Sequence, residues 1–270
     1  MRPCWHGAAV PWYRERVEIW QALLLGLVEG LTEFLPVSST GHLLVVQRLL
    51  GIEASEAANA YIIVIQVGAI AAVLHLYRRR IAQIVLGLVG RDPFGRKLLS
   101  ALLVAFVPAA VLGFTLDETI ERYLFGPWPV VVAWTLGGAL LLVISPRIRA
   151  KQGLPLEGLA LKAALVIGVA QCAALWPGTS RSLATILGGL AVGLSTAAAV
   201  EFSFLLGLVT LGAASAYKLL DSGAALAETY GALELVAGFA AAAVSAWLAV
   251  RWMVAWLSRR GLGIFGWWRL

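Results

Sequence analysis

Five stretches of the chain are almost continuously apolar, and each has about the length needed to cross a lipid bilayer. They cover residues 58–77, 98–116, 127–145, 198–217 and 231–257. A lipid core offers no water to an unpaired backbone group, so only α-helices and closed β-barrels span it. Barrel strands alternate between apolar and polar side chains, whereas these runs are continuous. We therefore predict an all-α, polytopic integral membrane protein.

Composition and charge exclude the other broad classes of protein. Apolar residues make up 60% of the 270 residues and charged residues only 13%, against roughly 25% in soluble domains. These values exclude a soluble globular domain, a disordered chain and a disulfide scaffold. We assign the net charge of +6 to basic cytoplasmic loops and expect no nucleic-acid partner. Cys4 and Cys172 are too few for a disulfide framework or a metal site.

The chain is predicted to form one membrane domain after a short tail. Residues 1–18 are rich in proline and charge and form the predicted N-terminal polar tail. A single membrane domain follows over residues 19–270. A cleaved signal peptide is not expected, because the first apolar stretch, from Ile19 to Val28, runs into Glu29 without a cleavage site of small residues.

Two segments of that domain, residues 19–50 and 160–193, differ from the spanning runs. Each has the pattern of an apolar helix, a turn rich in Pro, Ser, Thr and Gly, and a second apolar helix. Neither half is long enough to span a bilayer alone. The pattern is typical of re-entrant hairpins, whose turns are tolerated in a membrane only where protein or a water-filled cavity surrounds them.

Loop charges predict the side from which each hairpin enters, because basic residues mark cytoplasmic segments. The basic segments are 78–97, 146–162 and the C-terminal tail with Arg259, Arg260 and Arg269, and the acidic ones are 117–126 and 218–230. The two kinds of segment alternate along the chain only if the second hairpin enters and leaves from the cytoplasm. By the same count, the first hairpin enters and leaves from the outside.

Hairpins that enter from opposite faces are typical of inverted-topology repeats, which place a binding site near the membrane midplane. We predict one repeat over about residues 19–145 and a second over about residues 160–257. The two turns share a short sequence similarity, in which Pro36-Val37-Ser38-Ser39-Thr40 aligns with Pro177-Gly178-Thr179-Ser180-Arg181.

The ionisable residues Glu29, Glu33, His42 and Arg181 lie in the interior of the predicted hairpins. A charge at membrane depth costs about 2.5–3.5 kcal/mol on insertion scales, so we expect these residues to pair or to line a wet cavity. Glu29 and Glu33 are four residues apart and therefore share one helix face. Two carboxylates so close resist joint ionisation unless a cation stands between them, and a divalent metal or Arg181 meets that need.

The first turn is rich in hydroxyl groups. Ser38, Ser39 and Thr40 are followed by Gly41 and His42. An ordinary helix cap accounts for one of these hydroxyls but not for all three. The N-terminus of a helix binds anions, and a serine near an imidazole forms a nucleophile with its base. We therefore favour a catalytic interpretation of this turn.

The second turn repeats this arrangement with Gly178, Thr179, Ser180, Arg181 and Ser182. Glycine allows close backbone approach, the following helix offers N–H donors, and arginine binds phosphate bidentately. An ion pair between Arg181 and Glu29 or Glu33 is the structural alternative, and both interpretations are compatible in the resting state. Two carboxylates, a serine, a histidine, an arginine and two helix ends together favour phosphoryl chemistry over acyl transfer or redox chemistry.

These motifs also resemble a known family. The two signature motifs of the undecaprenyl pyrophosphate phosphatase family, of the bacitracin-resistance type, are similar to GLVEGLTEFLPVSSTGHLL at residues 26–44 and QCAALWPGTSRS at residues 171–182. Two further family blocks resemble YIIVIQVGAIAAVL at residues 61–74 and EFSFLLG at residues 201–207. The resemblance covers about residues 19–268.

The resemblance implies a membrane-embedded hydrolase that removes the terminal phosphate of undecaprenyl diphosphate and so recycles the lipid carrier for cell-wall synthesis. It implies dependence on a divalent cation, Mg²⁺ or Ca²⁺. It also implies location in the bacterial plasma (inner) membrane, with the site facing the periplasmic side. The implied partners are the polyprenyl diphosphate substrate and membrane lipids. The sequence leaves open whether the protein forms a homo-oligomer.

Roles for individual residues follow from their motif positions in the family. Glu29 and Glu33 are implied as the essential acids and the metal ligands, Ser39 as the nucleophile or at least a phosphate ligand, His42 as the acid/base, and Arg181 as the phosphate clamp. The sequence leaves open whether Ser39 or an activated water attacks the phosphorus. Further phosphate contacts are implied for Ser38, Thr40, Gly178, Thr179, Ser180 and Ser182.

The chain departs from the family pattern in a few places. Leu183 stands where a glycine usually follows the second motif, and Gly207-Leu208-Val209-Thr210 lacks the usual proline. The N-terminal tail is longer and the C-terminus shorter than usual. No polar catalytic group is lost, and we expect Leu183 to narrow the phosphate loop. Two alternatives stay open, namely a transporter or flippase of a polyprenyl phosphate or another anion, and a phosphatase for a different isoprenoid diphosphate.

Overall fold

A computed structural model describes residues 17–52, 56–124, 126–147, 152–257 and 260–270 of the chain. Within these residues the regular structure is helical, and isolated bridge residues include the parallel pair Leu154 and Leu194. Most of the predicted N-terminal tail, residues 1–16, lies outside the described residues, as do Cys4 and Arg259.

Eleven α-helices are present in the described part of the chain. They are α1 (Ile19–Thr32), α2 (Ser39–Leu49), α3 (Glu56–Leu76), α4 (Arg78–Leu88), α5 (Pro93–Leu124), α6 (Pro127–Ile144), α7 (Leu161–Gln171), α8 (Arg181–Ala191), α9 (Thr196–Thr229), α10 (Ala232–Leu257) and α11 (Gly263–Arg269). Short 3₁₀ turns cover Ser145–Arg147, Leu156–Gly158 and Cys172–Leu175.

Four helices are long and apolar enough to cross a membrane, over Pro93–Leu116, Pro127–Ile144, Thr196–Leu220 and Ala232–Leu257. They confirm four of the five predicted spans. The fifth prediction, residues 58–77, falls on α3, which bends by 82° into α4. The chain is therefore a multi-pass membrane protein.

Three segments that were predicted as loops are wholly or partly helical. The basic segment 78–97 contains α4 and the start of α5, the acidic segment 117–126 belongs to α5 as far as Leu124, and residues 218–229 extend α9. Charged residues such as Lys, Arg and Glu are good helix formers, so charge marks where a helix leaves the lipid and not where the helix ends. Helix α5 ends at Leu124, shortly before Gly126 and Pro127, because glycine and proline disfavour the interior of a helix.

Close packing joins the first helix to the last long one. A Cβ atom added at Gly26 would overlap the carbonyl of Gly238, and one added at Gly30 would overlap the side chain of Ser245. Helices in lipid associate through small residues that let their backbones approach. The same α10 packs along α3, which in turn packs along α9. The first hairpin is thus held against the spanning helices that surround the polar residues.

Candidate active site

The turn before α2 and the turn before α8 share an unusual backbone conformation. Ser38 has φ 72° and Ser180 has φ 76°, and no other non-glycine residue in the described segments has a positive φ. Such a conformation costs about 1–3 kcal/mol and is retained at functional sites when the surroundings enforce it. Each serine is the N-cap of an 11-residue helix. Matching the two caps places Pro36 opposite Gly178, one residue away from the Pro36–Pro177 alignment predicted from the sequence, because proline identity does not report the backbone turn.

Both helix N-termini open into one cavity of about 190 Å³. Its wall comes from both hairpins and from α3, α5 and α9. The lining residues are Glu33, Ser38, Ser39, Thr40, Gln66, Ala109, Gln171, Ala174, Leu175, Pro177, Gly178, Ser180, Arg181, Thr210 and Leu211. Two helix N-termini at one cavity supply N–H groups and positive dipole ends to an anion.

Glu33, Ser39 and Arg181 form a continuous polar chain in this cavity. The Ser39 hydroxyl donates to Oε2 of Glu33, and Nη2 of Arg181 lies 3.2 Å from Oε1 of the same carboxylate. Nη1 of Arg181 donates to the carbonyl of Ser203 at 3.1 Å. The buried Nε–H of Arg181 has no partner. The predicted pairing of Arg181 with a hairpin carboxylate is thus confirmed for Glu33, and one guanidinium donor is left for a ligand.

This chain of groups suits attack on phosphorus. A carboxylate that accepts a hydrogen bond from a serine hydroxyl is placed to remove its proton. The arginine and the helix N-termini are placed to bind the negative charge of a phosphoryl group. Both parts lie within the reach of one small anion, because the same cavity is lined by Ser39 and Arg181.

His42 does not form the predicted pair with Ser39. Its Nδ1 donates to the carbonyl of Ser38 at 2.7 Å, and its Nε2 accepts from Nε1 of Trp268 at 2.9 Å. The ring also stacks between Trp134 and Trp268, with centroids 4.8 Å and 6.1 Å away. Both ring nitrogens are therefore engaged away from Ser39, and His42 does not line the cavity.

Glu29 lies one helical turn before Glu33 and is 2% exposed, but it does not line the cavity. Two other predicted phosphate contacts also lie outside the lining. Ser182 is fully buried and donates to the carbonyl of Leu35, and the carbonyl of Thr179 accepts from Arg269. Among the described residues, no group of three or more His, Cys, Asp or Glu side chains is arranged to hold a metal ion.

Ser38, Thr40, Gly178 and Ser180 do line the cavity, beside Ser39 and Arg181. Leu183, by contrast, is 2% exposed and belongs to the main hydrophobic core. It does not line the cavity, so the expectation that Leu183 narrows the phosphate loop is wrong. The side chain of Leu183 packs in the hydrophobic core, and its backbone N–H donates to Oγ of Ser180 in the turn.

The C-terminal helix α11 was not predicted to approach the site, yet Arg269 joins both turns. Its guanidinium donates to five backbone carbonyls and is 4% exposed. Among them are the carbonyl of Pro36 in the first turn and that of Gly178 in the second, at 3.3 Å and 2.8 Å. The other carbonyls belong to Ala133, Trp134 and Thr179. Arg269 is therefore a buried cross-link and not the free cytoplasmic charge that the loop count assumed.

Replacing Arg269 with methionine should lower stability by about 2–4 kcal/mol, because several buried carbonyls lose a charged donor. For a chain of this size that corresponds to a fall of roughly 5–10 °C in the unfolding temperature. Thermal unfolding in detergent measures it. The matched control is Arg260→Met, since Arg260 is exposed and lies over Trp256. Equal unfolding temperatures for Arg269→Met and the wild type would refute the cross-link.

Three polar residues of the cavity were missed, namely Gln66, Gln171 and Thr210. The sequence does mark two of them, since Gln66 and Gln171 are polar residues in apolar helices and lie within the motifs at residues 61–74 and 171–182. A polar side chain at membrane depth is costly and marks a functional position. Uncharged residues are easily overlooked when only ionisable groups are considered.

Comparison with known proteins places the chain in a family. A family model described as Bacitracin resistance protein BacA matches residues 22–270. The chain is 49% identical over 253 residues to an undecaprenyl-diphosphatase of Sorangium cellulosum, covering 92% of this chain and 82% of the relative. It is 46% identical to undecaprenyl-diphosphatase 2 of Rhodospirillum rubrum, covering 93% and 90%. For undecaprenyl-diphosphatase 1 of Chromobacterium violaceum the identity is 45%, with 93% of each chain covered. The chain belongs to the bacitracin resistance protein BacA family.

Proposed function

We propose that this protein hydrolyses undecaprenyl diphosphate to undecaprenyl phosphate and inorganic phosphate. The observation that carries the proposal is the chain Ser39–Glu33–Arg181 at a cavity that receives two helix N-termini. The activity named for the relatives is the same one. In the cell, this reaction would return the lipid carrier to cell-wall synthesis, and an excess of it would oppose bacitracin.

Ser39 is the proposed nucleophile. Its oxygen forms a bond to the terminal phosphorus while the bond from that phosphorus to the bridging oxygen breaks, and undecaprenyl phosphate leaves with that oxygen. Glu33 takes the hydroxyl proton, because its carboxylate already accepts the Ser39 hydrogen bond. Water then cleaves the phosphoserine, which releases phosphate and restores the serine. Arg181 and the helix N-termini stabilise the charge on the equatorial oxygens throughout.

A positioning role suits His42 better than acid/base catalysis. Its hydrogen bond to the carbonyl of Ser38 holds the turn in its positive-φ conformation, and its ring does not line the cavity. Trp268 in turn fixes the tautomer, since a ring nitrogen that accepts from an indole N–H carries no proton.

A divalent cation, Mg²⁺ or Ca²⁺, belongs to the proposal as well. Such ions often use one or two protein carboxylates and take their remaining ligands from substrate phosphates and water. Of the two predicted ligands, Glu33 lines the cavity and would hold the cation there, whereas Glu29 lies one helical turn earlier and outside the lining. Among the described residues the protein supplies no complete cage. When bound, the cation would offset the negative charge of the diphosphate.

The proposed architecture has two inverted repeats, each beginning with a re-entrant hairpin. Support comes from the equal conformations of Ser38 and Ser180, each before an 11-residue helix, and from halves of 11 to 14 residues that are too short to span alone. Loop charges favour entry of the two hairpins from opposite faces, and the family resemblance supports the bacterial inner membrane with the cavity open toward the periplasmic side.

Phosphate release from undecaprenyl diphosphate by the purified protein in detergent tests the proposal. We expect release in Mg²⁺ or Ca²⁺, its loss in excess EDTA, and its return when the cation is added back. Undiminished release in EDTA would remove the cation from the proposal. No release by folded wild type with either cation would refute hydrolysis of this substrate. It would favour the transporter, which moves its ligand without cleaving it, or a phosphatase for a different isoprenoid diphosphate.

A further inference from the structure

Gln171 is a buried polar residue of the cavity that the proposed chemistry does not use. The side chain is 2% exposed, and Nε2 has no hydrogen-bond partner. Oε1 lies 3.2 Å from the hydroxyl of Thr210, which also lies 3.0 Å from the carbonyl of Leu206 on its own helix. A buried amide N–H without a partner costs about 1–3 kcal/mol. The cost is recovered if the free donor, at the cavity wall, binds an acceptor that arrives with the substrate.

The two polar side chains contact helix α9 at different positions along its axis. Arg181 binds the carbonyl of Ser203 and lies against Gly207, where any Cβ would overlap the guanidinium. Gln171 is bound at Thr210, about one helical turn further along α9 than Gly207. The donor of Gln171 therefore lies beside the Arg181 position and is displaced from it toward the C-terminal end of α9.

Apolar side chains accompany Gln171 at its part of the cavity. Leu211 follows Thr210 directly on α9, Leu175 lies one turn after Gln171, and α5 contributes Ala109. An isoprenoid chain requires such a wall, whereas the transferred phosphate requires the charged end. The lipid side of the diphosphate is thus expected at Gln171 and the terminal phosphate at Arg181 and Ser39.

We propose that Gln171 binds the phosphate that stays on the lipid, and so recognises a prenyl phosphate separately from the transferred group. The proposal rests on the hydrolysis proposed above and adds a binding residue to it. The position has a parallel in the first hairpin, since Glu29 lies nine residues before Ser38 and Gln171 nine residues before Ser180. An amide there donates to phosphate, whereas a carboxylate there would repel it or require a cation.

Competitive inhibition tests the assignment, because two simple anions probe the two ends. Farnesyl phosphate carries the retained phosphate, and inorganic phosphate occupies the end of the transferred one. We expect Gln171→Leu to raise the inhibition constant of farnesyl phosphate about ten- to hundredfold, the value of a hydrogen bond to a charged group. The inhibition constant of inorganic phosphate should stay at the wild-type value.

Two further variants guard against a folding defect. Gln171→Glu keeps the shape of the side chain but replaces the donor with an acceptor. It should therefore also raise the inhibition constant of farnesyl phosphate and leave that of inorganic phosphate unchanged. Gln21→Leu is the matched control, a glutamine of α1 that is 4% exposed, binds the backbone and lies away from the cavity. It should leave both inhibition constants unchanged in protein that elutes as a single species.

The outcomes separate the inference from the proposed hydrolysis. Equal weakening of both inhibitors would place Gln171 on the transferred phosphate, and no change in either would make it a structural residue. Each result overturns the inference while wild-type phosphate release continues. Absence of release by the wild type itself would instead overturn the hydrolysis.

Discussion

Exchange of Arg181 for lysine is expected to lower kcat/KM for undecaprenyl diphosphate by about 10³-fold, a loss typical of an arginine that stabilises a phosphoryl transition state. Lysine keeps the charge beside Glu33 but cannot donate to that carboxylate, to the Ser203 carbonyl and to a phosphate oxygen from one planar group. The variant therefore separates geometry from charge. Initial rates of phosphate release over a range of substrate concentrations measure the effect.

A matched control is available nearer the N-terminus of α9. Arg80 also pairs with a carboxylate, that of Glu201 at 2.6 Å, but lies outside the cavity. Arg80→Lys should therefore release phosphate at close to the wild-type rate. Alanine is less informative at position 181, because an unpaired Glu33 would destabilise the fold by about 3–5 kcal/mol. An Arg181→Lys enzyme that keeps most of the wild-type kcat/KM would exclude the guanidinium as the phosphate clamp.

Loss of the Ser39 hydroxyl should have an even larger effect. We expect Ser39→Ala to lower kcat by about 10⁴-fold or more, since removal of a nucleophile leaves only the electrostatic part of catalysis. The alanine keeps the helix start and leaves the Glu33–Arg181 ion pair in place, so the unfolding temperature should change little. Rates of phosphate release and thermal unfolding, measured on the same preparation, distinguish the two effects.

Ser245→Ala is the control for that variant. Ser245 is also buried, at 3% exposure, and donates to the carbonyl of Ala241 within its own helix. We expect its activity to match the wild type. A comparable loss of activity in Ser245→Ala would show that removal of any buried hydroxyl disturbs the site. The loss in Ser39→Ala would then give no support to Ser39 as the nucleophile.

Much of the architecture follows from local patterns that a sequence displays. Continuous apolar runs predicted five spans, four of which are single helices long enough to cross a membrane. Two helix–turn–helix segments lie where Pro, Ser and Thr interrupt apolar residues. The ion pair of Arg181 with a hairpin carboxylate was also foreseeable, because buried charges in lipid require partners. Helix ends were less predictable, since charged residues permit a helix to continue beyond the lipid.

Contacts between distant parts of the chain were not predictable in this way. His42 accepts a hydrogen bond from Trp268, which lies more than two hundred residues away in the sequence, and Arg269 resembled one more basic residue of a tail. The parallel between Ser38 and Ser180 depends on backbone conformation and not on residue identity. In each case the deciding partner is set by how α11 and the two turns pack together.

The most direct test of the proposed mechanism is to trap the transferred group. Purified protein would be mixed with undecaprenyl diphosphate labelled in its terminal phosphate and quenched in acid at times within the first turnover. We predict labelled phosphate on the peptide that carries Ser39, and none on that peptide in Ser39→Ala. Protein that releases labelled phosphate at the wild-type rate in Ser39→Ala, or that carries no label on Ser39 at any time, would contradict attack by this serine.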